Sequence, residues 1–214
     1  MASHNIDRDA HAAASSNYRK HTSGNPLQRA LINRFHQRIL NEITRLNPTS
    51  FLDAGCGEGI VSGLVLDALP GINLVGVDTS ADAVAIAASD NPSATFQVTS
   101  VLALPFPDDA FDVVGCFEVL EHLPGDLPGK ALAEYARVAR RAVVLSVPHE
   151  PWFCRANAIR GKNWDVRPKG SDPDHHQFWS RNAFGDLVAQ QFAVQKLTGS
   201  FPWTICVATV SPAE

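Results

Sequence analysis

Between residues 26 and 46 the apolar side chains Leu27, Leu31, Phe35, Ile39, Ile43 and Leu46 recur every three or four positions, the spacing that gathers them on one face of an α-helix. Pro26 suits the first helical turn, Asn25 can cap it, and Asn47-Pro48 closes the segment. The other face carries Arg29, Arg34, Arg38 and Arg45, read as a solvated face. After Pro48 the pattern changes to short apolar runs, predicting strands at 50–54, 73–78, 94–98, 111–117 and 142–147. Helical patterns at 59–69, 81–89 and 130–139 lie between them. Strand, helix, strand in this rhythm builds a parallel sheet through right-handed crossovers, with helices on both faces. A helix at 181–190 and short strands near 193–197 and 204–210 complete the pattern.

Two stretches stand outside it. Residues 1–24 are rich in Ala, Ser, Asn and His without periodicity and read as a flexible arm, leaving 25–214 as one domain. Residues 148–179 hold Pro, Gly, His and Arg with Trp152, Phe153, Trp164 and Trp179 and no period, the character of a lid or acceptor-binding insertion.

Composition narrows the picture further. No apolar run is long enough to span a bilayer and the N-terminus lacks a secretory pattern, so a cytoplasmic protein is expected. Cys56, Cys116, Cys154 and Cys206 lack CxxC spacing, as expected of reduced thiols in packing roles. A formal net charge of −4 argues against a chain that holds nucleic acid by neutralising many phosphates.

The chemistry begins where the first strand runs into Asp53-Ala54-Gly55-Cys56-Gly57-Glu58-Gly59. Glycines there allow a sharp turn and let a ligand lie against main-chain atoms. The second strand ends in Asp78, about 20 residues on, where a carboxylate can accept the hydroxyls of a ribose. A dinucleotide fingerprint would require a third glycine where Ile60 stands and has no use for Asp53.

Together these residues resemble the class I S-adenosylmethionine-dependent methyltransferase family, in its group of small-molecule and cofactor methyltransferases. The acid-x-Gly-x-Gly-x-Gly turn falls on Asp53, Gly55, Gly57 and Gly59. Leu102-Ala103-Leu104-Pro105-Phe106, Phe111-Asp112-Val113-Val114 and Glu118-Val119-Leu120-Glu121-His122-Leu123 then follow in the family's order. The resemblance implies an α/β fold, a Rossmann-like seven-stranded sheet that is mostly parallel with an antiparallel last strand. It implies S-adenosyl-L-methionine as cofactor, with Asp53, Gly55, Cys56, Gly57 and Gly59 around the methionine moiety and Asp78 and Thr79 at the ribose. Ser100 and Val101 fall at the adenine and Phe117 against the cofactor. Where the family commonly has an acid this chain has Ser100, so a hydroxyl, backbone groups or packing must serve there.

A sulfonium already activates its methyl group, so alignment and proton removal are the tasks left to protein side chains. Glu118, Glu121, His122 and the distant His175 are the candidate catalytic residues, and His149 after Pro148 is a further histidine of this kind. Glu118, Glu121, His122 and His175 also resemble the ligand set of metal-dependent small-RNA 2′-O-methyltransferases and some ubiquinone-pathway O-methyltransferases. The same Glu-x-x-Glu-His run occurs in relatives that use no metal, and no metal is taken as assigned. The expected reaction is methyl transfer to a small acceptor, aromatic, quinone-like or lipid-linked, with oxygen the methylated atom. The alternatives are an RNA methyltransferase, in which the basic helix and Tyr18, Arg19, Lys20 and His21 contact phosphates, and a protein that binds the cofactor without transferring its methyl group.

Overall fold

The computed structural model describes residues 26–149, 154 and 173–210. The arm with Tyr18 to His21, the cap at Asn25, and most of the 148–179 segment with Trp152, Phe153 and Trp164 lie outside the described residues.

Helix α1 (Pro26–Leu46) turns Phe35, Ile39 and Ile43 of the predicted stripe inward together with Ile32, while Leu31 and Leu46 are half-buried and Leu27, in the first turn, is exposed. It is followed by β1 (Ser50–Ala54), α2 (Ile60–Ala68), β2 (Asn73–Asp78), α3 (Ala81–Asp90), β3 (Thr95–Val98) and β4 (Phe111–Phe117). A short 3-10 turn at Leu120–His122 leads to α4 (Leu127–Val138), β5 (Ala139–Pro148), α5 (Arg181–Val188), β6 (Phe192–Ser200) and β7 (Trp203–Val210). Helix α4 begins three residues before the predicted start. Pro128 and Gly129 read as breakers in the sequence, but Pro128 occupies the first turn, where a missing N–H costs nothing. Strand β5 starts without a loop at Ala139, which pairs with Phe111.

The strands form one seven-stranded sheet in the order β3-β2-β1-β4-β5-β7-β6. Pairings from β3 through β5 are parallel, and β7 runs antiparallel to both neighbours. This is the Rossmann-like sheet with a reversed last strand that the sequence resemblance implies.

Alternation along the buried strands feeds two separate cores. Phe51, Val113, Val144 and Ile205 face α1 and α2 with Phe35, Ile39, Ile43 and Val65. Leu52, Val114, Val143 and Cys206, each the neighbour of one of those, face α4 and α5 with Leu132, Tyr135, Phe184 and Val188. All four cysteines are free and buried, in keeping with packing roles. Among the described residues no helix is long and apolar enough to cross a membrane.

The fold positions the site through one topological fact. The chain runs outward from β1 through β2 to β3, then returns to place β4 on the other side of β1. At such a switch point the loops after the two strands diverge and leave a crevice at the carboxyl end of the sheet, where open α/β folds bind ligands.

Candidate active site

The crevice floor is the turn after β1. The amides of Gly55 and Cys56 both donate to the Val77 carbonyl, at 2.8 and 2.9 Å, stitching the turn to β2. Gly55 has φ +85°, and a Cβ there would come within 2.3 Å of Val119 Cγ2, so this position requires glycine both for its backbone and for its neighbour. Gly59, with φ +77°, opens α2, and a Cβ there would meet Asn91 and Ala87 at 2.8 and 2.9 Å.

A small open cleft lies over this turn, lined by Asp53, Gly55, Cys56, Glu58, Ile60, Val61 and Phe117. Asp53 is 1% exposed, and its Oδ2 accepts the Ser62 hydroxyl at 2.6 Å. Burial pushes the Asp53 carboxyl up to about 6, against the Ser62 hydrogen bond that favours its charge, and the nearby Asp78 adds to the rise. Burial likewise raises the Cys56 thiol, which keeps it protonated in the cleft.

Asp78 ends β2 already organised. Its Oδ2 accepts the Gly57 amide and its Oδ1 the Ser80 amide, both at 2.9 Å. A carboxylate has about four lone-pair directions, so each oxygen retains capacity for a ligand hydroxyl. Ser80 caps α3 by accepting from the Ala83 amide at 3.3 Å, and Thr79 beside it is exposed. The Thr99 amide donates to the Asp78 carbonyl at 2.9 Å, bringing Ser100 next to the end of β2. The Ser100 hydroxyl oxygen accepts the Leu102 amide at 3.2 Å, while Val101 turns into the core. Neither Ser100 nor Val101 is among the residues lining the cleft.

A second group of candidate residues is built after β4. Glu118 sits at φ +60°, an uncommon conformation for a residue with a Cβ, and such strain persists where the surroundings hold it. Its amide donates to the Ser146 carbonyl at 3.2 Å, and the fully buried Ser146 hydroxyl donates to its Oε1 at 3.0 Å. The 3-10 turn then buries Glu121 and leaves the His122 ring 43% exposed.

His175, far along the chain and buried, meets His122 edge to face with ring centroids 5.0 Å apart. His122 Nε2 lies 4.0 Å from Glu121 Oε1, and one donor atom from each of Glu121, His122 and His175 falls within 4.8 Å of the others. The structure thus brings together three of the four residues of the expected constellation. Glu118 is not part of this group and is tied to Ser146. His122 Nδ1 lies 3.0 Å from the Asp174 carbonyl oxygen. A carbonyl only accepts, so in the neutral ring the proton sits on Nδ1 and the lone pair on Nε2.

The remaining sequence candidates lie outside the histidine cluster. The His149 amide donates to the Pro202 carbonyl at 2.8 Å. Trp179 packs on Phe184, with centroids 5.7 Å apart, as part of the core. On α1, Arg38 donates to the Gly199 carbonyl and Arg45 lies 3.8 Å from Glu42, while Arg29 and Arg34 are exposed. Sequence reasoning missed Ser62, Ser146 and Val119, whose roles depend on contacts between elements and leave no local signal.

A doubly wound sheet with a reversed last strand, a glycine turn closing β1 and a prepared carboxylate closing β2 form the kind of carboxyl-end crevice in which open α/β folds bind nucleotide cofactors. Comparison with known proteins makes this specific. Residues 52–147 match the family model described as a methyltransferase domain. A protein of Mycobacterium tuberculosis described as a probable S-adenosylmethionine-dependent methyltransferase is 34% identical over 115 residues, covering 53% of this chain and 40% of that protein. The ubiquinone biosynthesis O-methyltransferase of Methylococcus capsulatus is 26% identical over 190 residues, covering 81% of this chain and 78% of that one. The crystal structure of magnesium protoporphyrin IX methyltransferase from Synechocystis with bound SAH superposes with a TM-score of 0.67 at 20% identity, covering 90% of this chain and 91% of that one. This chain is similar to S-adenosylmethionine-dependent methyltransferases through a methyltransferase-domain match at residues 52–147. It spans less than half the length of the mycobacterial relative.

Proposed function

We propose that this chain transfers the methyl group of S-adenosylmethionine to an oxygen of a small, quinone-like or aromatic acceptor. The observation that carries the reading is the adjacency of two differently built halves. A cleft bearing Asp53 and Phe117 lies at the end of β1 and β4, and the Glu121, His122 and His175 group lies just beyond β4. The likeness to a ubiquinone biosynthesis O-methyltransferase over most of both chains supports the choice of acceptor class and of oxygen.

Bound in the cleft, S-adenosylmethionine would supply an electrophilic methyl group on a positively charged sulfur. Asp78 is placed to accept from the ribose hydroxyls while Gly57 and Ser80 hold its orientation. Asp53, Cys56 and Phe117 wall the methionine side of the cleft. The acceptor O–H loses its proton to His122 Nε2, the ring atom left with a lone pair by the Nδ1 contact to Asp174. His175 and Glu121 shape the pocket wall around that nitrogen, and the new methyl–oxygen bond forms as the sulfur–methyl bond breaks.

The same three side chains also suit a divalent ion. One carboxylate and two imidazoles match manganese, cobalt or zinc better than magnesium or calcium. Donors about 2.1 Å from one ion lie no more than about 4.2 Å apart, so the cluster would close slightly around it. Such an ion would lower the pKa of an acceptor hydroxyl.

The test is incubation of the full chain with methyl-labelled S-adenosylmethionine and fractionated cell extract, with and without exhaustive chelation. Label in a small organic-extractable product is expected. Label in RNA overturns the acceptor class, and label in no fraction overturns the transferase reading in favour of a cofactor-binding protein. Activity that survives chelation assigns the proton to His122 alone, while activity lost and restored by manganese, cobalt or zinc assigns the cluster to a metal.

A further inference from the structure

The histidine that completes the cluster comes from a segment with no regular secondary structure, and what holds it there is visible. Residues 175–180 form neither helix nor strand, yet His175 is buried. The next two residues tie that segment to the turn after β4. The amides of His176 and Gln177 both donate to the Glu121 carbonyl, at 2.8 and 3.1 Å. The Gln177 carboxamide then spans the next part of the same turn, its Nε2 donating to the carbonyls of Leu123 and Gly125, each at 2.9 Å. On the other side of His175, the Asp174 carbonyl accepts a hydrogen bond from His122 Nδ1 at 3.0 Å.

We propose that Gln177 is a positioning residue for the candidate active site: its two-pronged carboxamide clasps the 174–177 segment to the 121–125 turn and so fixes both the place of His175 and the tautomer of His122. The inference rests on the functional reading above for the importance of the cluster, but the clasp itself is a matter of geometry. Glutamine suits the task because its NH₂ group carries two donors that fit two carbonyls, and both carbonyls lie past the 3-10 turn where no helix supplies a donor. Without those prongs the segment keeps the backbone bonds of His176 and Gln177 to the Glu121 carbonyl but loses its tie to the 123–125 part of the turn, and the Asp174 carbonyl is held less firmly against His122. The His122 ring is then free to exchange its proton between nitrogens. Partners of this kind orient the groups that do the chemistry, and their loss typically lowers metal affinity about 10- to 100-fold.

The experiment compares wild type with Gln177→Leu, which keeps volume and removes both donors, and Gln177→Glu, which turns two acceptors toward two carbonyls. Three quantities are read on the full chain: S-adenosylhomocysteine affinity by calorimetry, the His122 tautomer from imidazole ¹⁵N shifts in mildly alkaline buffer, and binding of cobalt(II) alone by visible absorption. The clasp predicts unchanged S-adenosylhomocysteine affinity in both variants, a single Nδ1–H tautomer of His122 in wild type, and a mixture of tautomers in the variants. Where wild type binds cobalt(II), the variants bind it at least tenfold more weakly. A single Nδ1–H tautomer retained in both variants overturns the proposal, whatever cobalt does. Wild type that binds no cobalt(II) but shows the tautomer change sinks the metal reading and leaves the clasp standing. If the variants fail to fold, Gln177→Lys, which keeps donors at the end of a flexible chain, provides the second arm: a folded Gln177→Lys with the wild-type tautomer supports the clasp, and one with mixed tautomers overturns it.

Discussion

Asp53 and Asp78 are both carboxylates at the ends of neighbouring strands, yet their surroundings give them different work. Asp78 is half-buried and held by two backbone amides, whereas Asp53 is buried against a serine hydroxyl with its carboxyl pushed up to about 6. Asp53 therefore gives up its proton at higher pH than a solvated aspartate, and from the ordinary aspartate range up to about pH 6 the folded protein binds more protons than the unfolded chain, so stability falls as pH rises across that window. A positively charged cofactor reverses the preference, because it favours the ionised form of Asp53. Affinity for S-adenosylmethionine is thus expected to rise with pH through about 6 and then level off. Asp53→Asn should flatten that dependence, whereas Asp78→Ala should lower affinity at least tenfold at every pH by removing hydrogen bonds to a charged group, worth about 1.5–3 kcal/mol each. Calorimetric titrations at several pH values decide it; equal pH dependence in wild type and Asp53→Asn removes Asp53 from the cofactor site. Both acids were legible in the sequence because each sits at a fixed offset from the glycine turn. The environment that separates them was not, since Ser62 approaches Asp53 from the next helix.

At the scale of elements, the periodic segments were readable almost to the residue, and the departures have local causes. Helix α4 starts early because a proline is harmless in a first turn, and β5 runs on to Ala139 because its pairing with Phe111 extends the ladder. What the pattern did not reveal is how elements press on one another. Gly55, after β1, leaves no room for a Cβ beside Val119, after β4, so the two turns pack closely against each other. A Cβ at Gly55 has to accept a left-handed backbone, costing about 1–2 kcal/mol, and also displaces Val119. Gly55→Ala is expected to destabilise the protein by more than the backbone cost alone. In the Gly55→Ala background, Val119→Ala should then cost less than it does in wild type, because it relieves the collision but not the φ strain. A double-mutant cycle by chemical denaturation measures that coupling. Strict additivity would mean that the two turns relax independently.

For the whole molecule, the sheet has a working end and a holding end. The carboxyl ends of β1, β2 and β4 carry the cleft and the histidine cluster, and the order of strands that puts them there follows from the βαβ rhythm and the reversed last strand. The opposite end carries Asp112, at the start of β4, and nothing in its surroundings is aimed at a ligand. Its Oδ2 accepts the Thr49 amide at 2.8 Å and the Thr49 hydroxyl at 2.7 Å, its amide donates to the Ser50 hydroxyl at 2.8 Å, and Arg140 reaches its Oδ1 at 2.9 Å. One carboxylate therefore joins the entries to β1, β4 and β5. Sequence likeness marked Asp112 only as part of a motif, because the residues it joins are more than 25 positions away and their meeting depends on the finished sheet. The two Thr49 hydrogen bonds hold its carboxyl below the usual range, opposed by its burial, with Arg140 a smaller and half-exposed contributor. The sign follows: a depressed carboxylate contributes stability above its unfolded value, and that contribution is lost as pH falls through the folded value. Asp112→Ala should lower stability near pH 7 by about 1–3 kcal/mol, the cost of leaving buried donors without an acceptor. The gap from wild type should narrow as the medium becomes acidic enough to protonate Asp112. Because Asp112 lies at the end of the sheet away from the cleft, the folded variant should bind S-adenosylhomocysteine with wild-type affinity. Denaturation curves across pH together with calorimetry check both halves, and a variant of unchanged stability with weakened cofactor binding would reverse the assignment of the two ends.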